Sequence, residues 1–71
     1  MQCYWESIYP LGEEMLVIRV ATNGGPDMLG AVDLANLVMP SATMICVMSP
    51  DGPLMTYLKQ GTTWQANDFQ Q

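Results

Sequence analysis

The chain contains no histidine. That absence removes the histidine general base, the Ser-His-Asp triad and every histidine-ligated metal site. Cysteine is scarce as well: Cys3 and Cys46 are the only two, too few to close a zinc or iron–sulfur site without histidine. Basic side chains are equally few. Arg19 and Lys59 stand against seven carboxylates, for a formal charge of −5. Binding to DNA or RNA through counter-ion release needs a lysine and arginine footprint, and this chain lacks one. No apolar run approaches the roughly 18 residues of a membrane span. The opening Met1-Gln2-Cys3-Tyr4-Trp5-Glu6 has neither the basic nor the apolar region of a signal peptide. With no export signal, two cysteines are expected as reduced core residues rather than a disulfide. The expectation is a soluble, cytoplasmic protein with no cofactor, no metal and no membrane attachment.

Hydrophobic residues make up 49% of the 71 and charged ones 13%, a composition too apolar for intrinsic disorder. The length suits one domain, residues 1–71. A domain this small buries only about 60% of its unfolded surface, so it folds marginally alone or shares surface with a partner.

Periodicity divides the chain. Gln2 to Tyr9 is rich in aromatics and alternates weakly, as a half-exposed strand does. Pro10-Leu11-Gly12-Glu13 reads as a turn. Glu14 to Ala21 is β-branched and almost continuously apolar, the mark of a central strand. After the break at Thr22-Asn23-Gly24-Gly25-Pro26, Pro26 suits the first position of a helix and Asp27 its first turn. Met28, Ala31/Val32, Ala35 and Val38/Met39 form one apolar stripe, with Asp33 and Asn36 on the wet side, until Pro40 stops the helix. Thr43 to Met48 is a second apolar strand, Ser49-Pro50-Asp51-Gly52 a hairpin turn, and Leu54 to Lys59 the returning strand. Past Gln60-Gly61, Thr62-Thr63-Trp64-Gln65 suits a short edge strand. The predicted fold is α+β: a small antiparallel sheet of four or five strands with one helix on one face, in the order β-β-α-β-β. The other face, bearing methionines and aromatics, has nothing in the chain to cover it and predicts a homo-oligomer.

Catalysis finds few reagents. Glu13 and Glu14 are neighbours beside a turn and do not form a dyad by spacing. Cys46 sits between Ile45 and Val47, where a thiol is inert core, and Lys59 is a strand-edge gatekeeper. No phosphate-binding loop, dinucleotide fingerprint or nucleophile elbow is present. The chain is therefore expected not to be an enzyme. Three features point to binding. Asn23-Gly24-Gly25-Pro26 can present backbone N–H groups to an anion, or serve as an ordinary connection. Tyr4, Trp5, Tyr9, Tyr57, Trp64 and Phe69 can stack on bases, or fill core and interface. Seven methionines suit an irregular core or an adaptable contact surface equally.

The run Pro50-Asp51-Gly52-Pro53-Leu54-Met55-Thr56-Tyr57, then Thr62, then Trp64-Gln65-Ala66-Asn67-Asp68-Phe69, resembles the tail of the second type of Thoeris anti-defence proteins of phages. Asp51, Gly52, Thr62, Ala66 and Asp68 fit that family's pattern, while Tyr57 and Phe69 stand where it usually has tryptophan. Met15-Leu16-Val17-Ile18 is similar to its early strand, with Tyr9 where a tryptophan is expected. The family usually opens with an amphipathic helix and a basic segment; here the one predicted helix is central. The resemblance implies a non-catalytic sponge: an oligomer that sequesters a cyclic nucleotide or cyclic ADP-ribose-type immune signal in an infected bacterial cell. On that implication Tyr9, Tyr57 and Trp64 are stacking platforms, with Thr62 in the matched pattern. Asp68 accepts from a ribose hydroxyl or base amine, and Arg19 faces a phosphate unless it pairs with an acid across the sheet.

A second class of function competes. Acidic inhibitors of the anti-CRISPR or polymerase-inhibitor kind occupy basic surfaces that otherwise hold nucleic acid. The charge balance favours that reading, but Glu6, Glu13, Glu14, Asp27, Asp33, Asp51 and Asp68 are dispersed rather than gathered in a stripe. A structural subunit of a phage particle, needing only the oligomer, is a third.

Overall fold

The computed structural model describes residues 5–21 and 27–68. Along the chain these form β1 (Trp5–Leu11), β2 (Met15–Val20), α1 (Met28–Val38), β3 (Met44–Ser49), β4 (Gly52–Gln60) and β5 (Thr63–Asp68). The five strands lie side by side in sequence order, with α1 between β2 and β3 in the chain. The α+β class and the single helix on a small sheet are as expected, and the fifth strand is present.

Three of the strand pairings are antiparallel, but β2 and β3 run parallel, with Leu16 opposite Ile45 and Ile18 opposite Val47. The fully antiparallel sheet expected from sequence is thus corrected to a mixed one. The reason lies in the connection: a helix between two neighbouring strands carries the chain back to the end where it began, so the next strand repeats the direction of the last.

Local chemistry explains most boundaries. Pro10 and Leu11 belong to β1 rather than to a turn; β1 is an edge, where a missing N–H need not break a ladder. Asp27 is not in the first turn but is the N-cap, its carboxylate accepting from the Gly30 N–H at 2.8 Å. Pro26 and the Asn23-Gly24-Gly25 loop lie outside the described residues. At the β3–β4 hairpin the Ser49 hydroxyl donates to the Gly52 carbonyl at 2.9 Å and accepts from the Asp51 N–H at 3.2 Å. Gly52 has φ +129°, a conformation that any other residue holds only under strain. The β4–β5 loop is Gly61-Thr62, with positive φ at the glycine alone, as in a type II′ hairpin. β5 then continues to Asp68, longer than the short edge strand expected.

The core lies between sheet and helix. Leu16, Ile18 and Val20 of β2, Ile45 and Val47 of β3 and Tyr57 of β4 pack with Ala31 and Ala35 of α1 and with Ala42. Alanine at both buried helical positions lets the helix sit close to the sheet. The helix crosses the strands: Met28 at its start packs on the core, and Val38 and Met39 at its end reach β1. Val38 is exposed, so the helical stripe is carried by Met28, Ala31, Val32, Leu34, Ala35 and Met39 instead.

The opposite face has no helix. Register places Tyr9, Val17, Cys46, Thr56 and Asn67 in one row across it, and Leu11, Met15, Met44, Leu58 and Gln65 in the next. No described helix packs over these rows, although Val17 and Thr56 within them are buried, at 4% and 7% exposure. No described helix is long and apolar enough to cross a membrane.

The packing has a measurable consequence. Ile45→Ala, at a position with 0% exposure, should cost about 2–5 kcal/mol, read from the urea midpoint. Asp27→Ala should cost about 1 kcal/mol through the lost cap. Leu37→Ala, at 80% exposure, should change stability by no more than about 0.5 kcal/mol; a loss equal to that of Ile45→Ala would contradict this orientation of the helix.

Candidate functional site

A groove of about 430 Å³ opens where the end of α1 passes over the β1 edge. Glu6, Ser7, Ile8, Tyr9 and Pro10 form one wall, Val38 and Met39 the other, and Leu16 the floor. The groove exists because the helix ends there: Met39 is the C-cap, its N–H donating to the Ala35 carbonyl at 2.7 Å, and the chain then turns at Pro40. Its volume lies within the range of small-molecule sites, about 300–1,000 Å³. The walls mix polar and apolar surface, with Glu6 the one charged lining residue.

Two of the residues expected to bind meet at this edge, on the sheet face opposite the groove's Leu16 floor. Tyr9 is 41% exposed and lines the groove. Arg19, exposed on β2, pairs with Ser7 while Tyr9 pairs with Val17. Tyr9 and Arg19 are therefore diagonal neighbours on the bare face, about 7–8 Å apart. No carboxylate among the described residues holds Arg19 in an ion pair, which leaves the cross-sheet pairing expected for it unformed there.

The other expected residues lie elsewhere. Tyr57 belongs to the core, 5% exposed beneath the helix, so its ring offers no free stacking surface. Burial pushes its phenol up, and the negative charge of Asp27 adds to the rise. Trp64 is half-buried on β5 and packs against the core, opposite Lys59. Thr62 is exposed in the loop beside it. From Tyr9 to this second group is four inter-strand spacings, about 19 Å. Asp68 ends β5 opposite Met55; its side chain, like Phe69, Tyr4, Cys3 and the Trp5 side chain, lies outside the described residues.

The reactive groups are quiet. Cys46 is a free, half-buried thiol that donates to the Met48 sulfur at 3.6 Å. Burial pushes its pKa up, and the nearby Thr56 hydroxyl offsets part of the rise. That contact does not meet hydrogen-bond geometry, and the buried Thr56 Oγ1 has no partner. Glu14 is not a loose surface acid: its carboxylate accepts from the Thr43 hydroxyl at 3.0 Å, and its carbonyl accepts from the Thr43 and Met44 N–H groups. Among the described residues no three His, Cys, Asp or Glu side chains gather to hold a metal.

The groove was not visible in the residue pattern. Ile8, Pro10, Leu16, Val38 and Met39 line it, and each reads in sequence as ordinary core, turn or helix. The one available signal was Pro40 ending the helix, and it does not say over which strand.

No protein-family model matches the chain, and neither a curated protein nor a solved structure is significantly similar to it.

The lowered acidities predict an alkaline weakness. Cys46 and Tyr57 hold their protons more tightly folded than unfolded, relative to ordinary values of 9.0 and 10.0. Their contribution to stability is complete below those values and is lost as pH rises through them towards the raised folded values. The urea midpoint should fall as pH rises through the ordinary values of 9.0 and 10.0, and Cys46→Ala with Tyr57→Phe should flatten the fall. An equally steep fall in the double variant would contradict these two groups as its source.

Proposed function

We propose that this chain is a non-catalytic binding protein. It holds and sequesters a cyclic nucleotide or cyclic ADP-ribose-type ligand, as an oligomer, in the cytoplasm of an infected bacterium. That is the role implied by its resemblance to the second type of Thoeris anti-defence proteins. The observation that carries the reading is the exposed pair Tyr9 and Arg19, diagonal neighbours at the β1 edge on the face opposite the groove's Leu16 floor.

The chemistry suits such a ligand. An aromatic ring stacked on a base contributes about 1–3 kcal/mol. A guanidinium grips phosphate oxygens with two parallel hydrogen bonds. Glu6, which lines the groove on the same edge strand, is an acceptor for a ribose hydroxyl or base amine. The charge of −5 repels an anion at long range, but at physiological salt that field is screened beyond about 8 Å. Capture therefore rests on short-range contacts. A thiol kept protonated by its surroundings and an absence of histidine leave little to attack the ligand once bound. The six carboxylates whose exposure is described, Glu6, Glu13, Glu14, Asp27, Asp33 and Asp51, are spread over a strand, a turn, the helix and a hairpin tip. That dispersion favours the ligand-holding reading over an acidic inhibitor.

The test is a thermal-shift panel of cyclic dinucleotides and cyclic ADP-ribose isomers. At least one should raise the melting temperature and be recovered chemically unchanged on heating. Tyr9→Ala and Arg19→Ala should each weaken that ligand about tenfold, a loss of about 1.4 kcal/mol. No shift across the panel in the folded protein overturns the proposal, as does recovery of an altered ligand.

A further inference from the structure

The two edges of the sheet are built differently. β1 carries devices that deter another strand from adding to it: Pro10 lacks an N–H, Glu6 is charged, and the register shifts between Trp5 and Ser7. β5 carries none of them over Thr63-Trp64-Gln65-Ala66-Asn67, which holds no charge, no proline and no glycine. It pairs with β4 one residue to one, without a bulge, from Gln60 opposite Thr63 to Met55 opposite Asp68. Thr63, Gln65, Ala66 and Asn67 are exposed. The outward backbone groups of such a strand form a ready template for pairing.

Charge selects the occupant. Every copy carries −5, so copies repel wherever their carboxylates meet, and least along this uncharged edge. A basic partner finds a carboxylate only at the strand's last residue, Asp68. An antiparallel strand pair about a two-fold axis brings the same residues from both sides, which lets one edge satisfy its own copy. We infer that two copies of this chain pair through their β5 edges, antiparallel, joining two five-stranded sheets into one continuous sheet. The pairing deepens the oligomeric part of the function proposed above and is separate from its ligand. It leaves the groove at the β1 edge open on each copy, and it sets the two bare faces side by side as one surface.

Light scattering of the full chain without ligand tests it, at about 100 µM, where a weak dimer is populated. The wild type should be a dimer. Gln65→Lys with Asn67→Lys places like charges on the facing strands and should give a monomer with an unchanged circular dichroism spectrum. Those lysines lower the net negative charge, so general repulsion does not account for a loss of pairing. Leu11→Lys, on the bare face at the far edge, should remain a dimer. Backbone amide exchange covers the case in which the double variant fails to fold: in the wild type, protection over Thr63–Asp68 should rise with protein concentration. A monomeric wild type, a dimeric double variant, dissociation by Leu11→Lys, or exchange independent of concentration overturns the inference. None of these outcomes bears on the thermal-shift panel, so the two proposals fail separately.

Discussion

The parallel pairing of β2 with β3 is the contact on which the other elements depend. It joins the two most apolar strands and places Leu16, Ile18, Ile45 and Val47 on one face, all of them fully buried. Each such side chain contributes about 1.5–3 kcal/mol. Because the pair is parallel, its connection must cross over the sheet, and α1 is that crossover. The helix lies on one face because the chain has to return, and its alanines set how closely it lies. β1, β4 and β5 then add outward as antiparallel neighbours, each joined by a short turn.

One consequence is a molecule with two unlike layers. The face under the helix is closed by side chains of both layers. The other face carries methionines, leucines and Val17 with no described element above it. The same asymmetry places the groove: the helix ends over β1, so the margin between its last turn and the edge strand is left open. At the far side, the β5 edge is uncharged from Thr63 to Asn67. The proposed binding and the proposed association thus fall to opposite edges of the sheet.

Local signals were legible where a residue has a single physical use. Gly52 and Gly61 marked turns through positive φ, Asp27 marked a helix start, and the β-branched run Leu16-Val17-Ile18 marked the central strand. The one helix and the strands around it followed from those. Strand direction was not legible, because hairpins and a helical crossover present the same alternation along each strand. The site was less legible still. Tyr57 and Trp64 are aromatics near strand ends, but register turns both towards the helix and the core. Tyr9 and Arg19 come from different strands, and only their pairing register makes them neighbours. Glu14 and Thr43 are a further case: nothing at either position announces the other.

That last contact also bears on how the chain folds. Glu14 and Thr43 are 29 residues apart, and their hydrogen bonds fasten the first residues of β2 to those of β3. Closing so long a loop costs chain entropy before any burial rewards it, whereas the hairpins close over two or three residues. Helix formation within the loop compacts the intervening chain, since a helical residue advances only about 1.5 Å. The rate-limiting step of folding is then expected at this clasp, with the local hairpins forming ahead of it and the sheet completing after it.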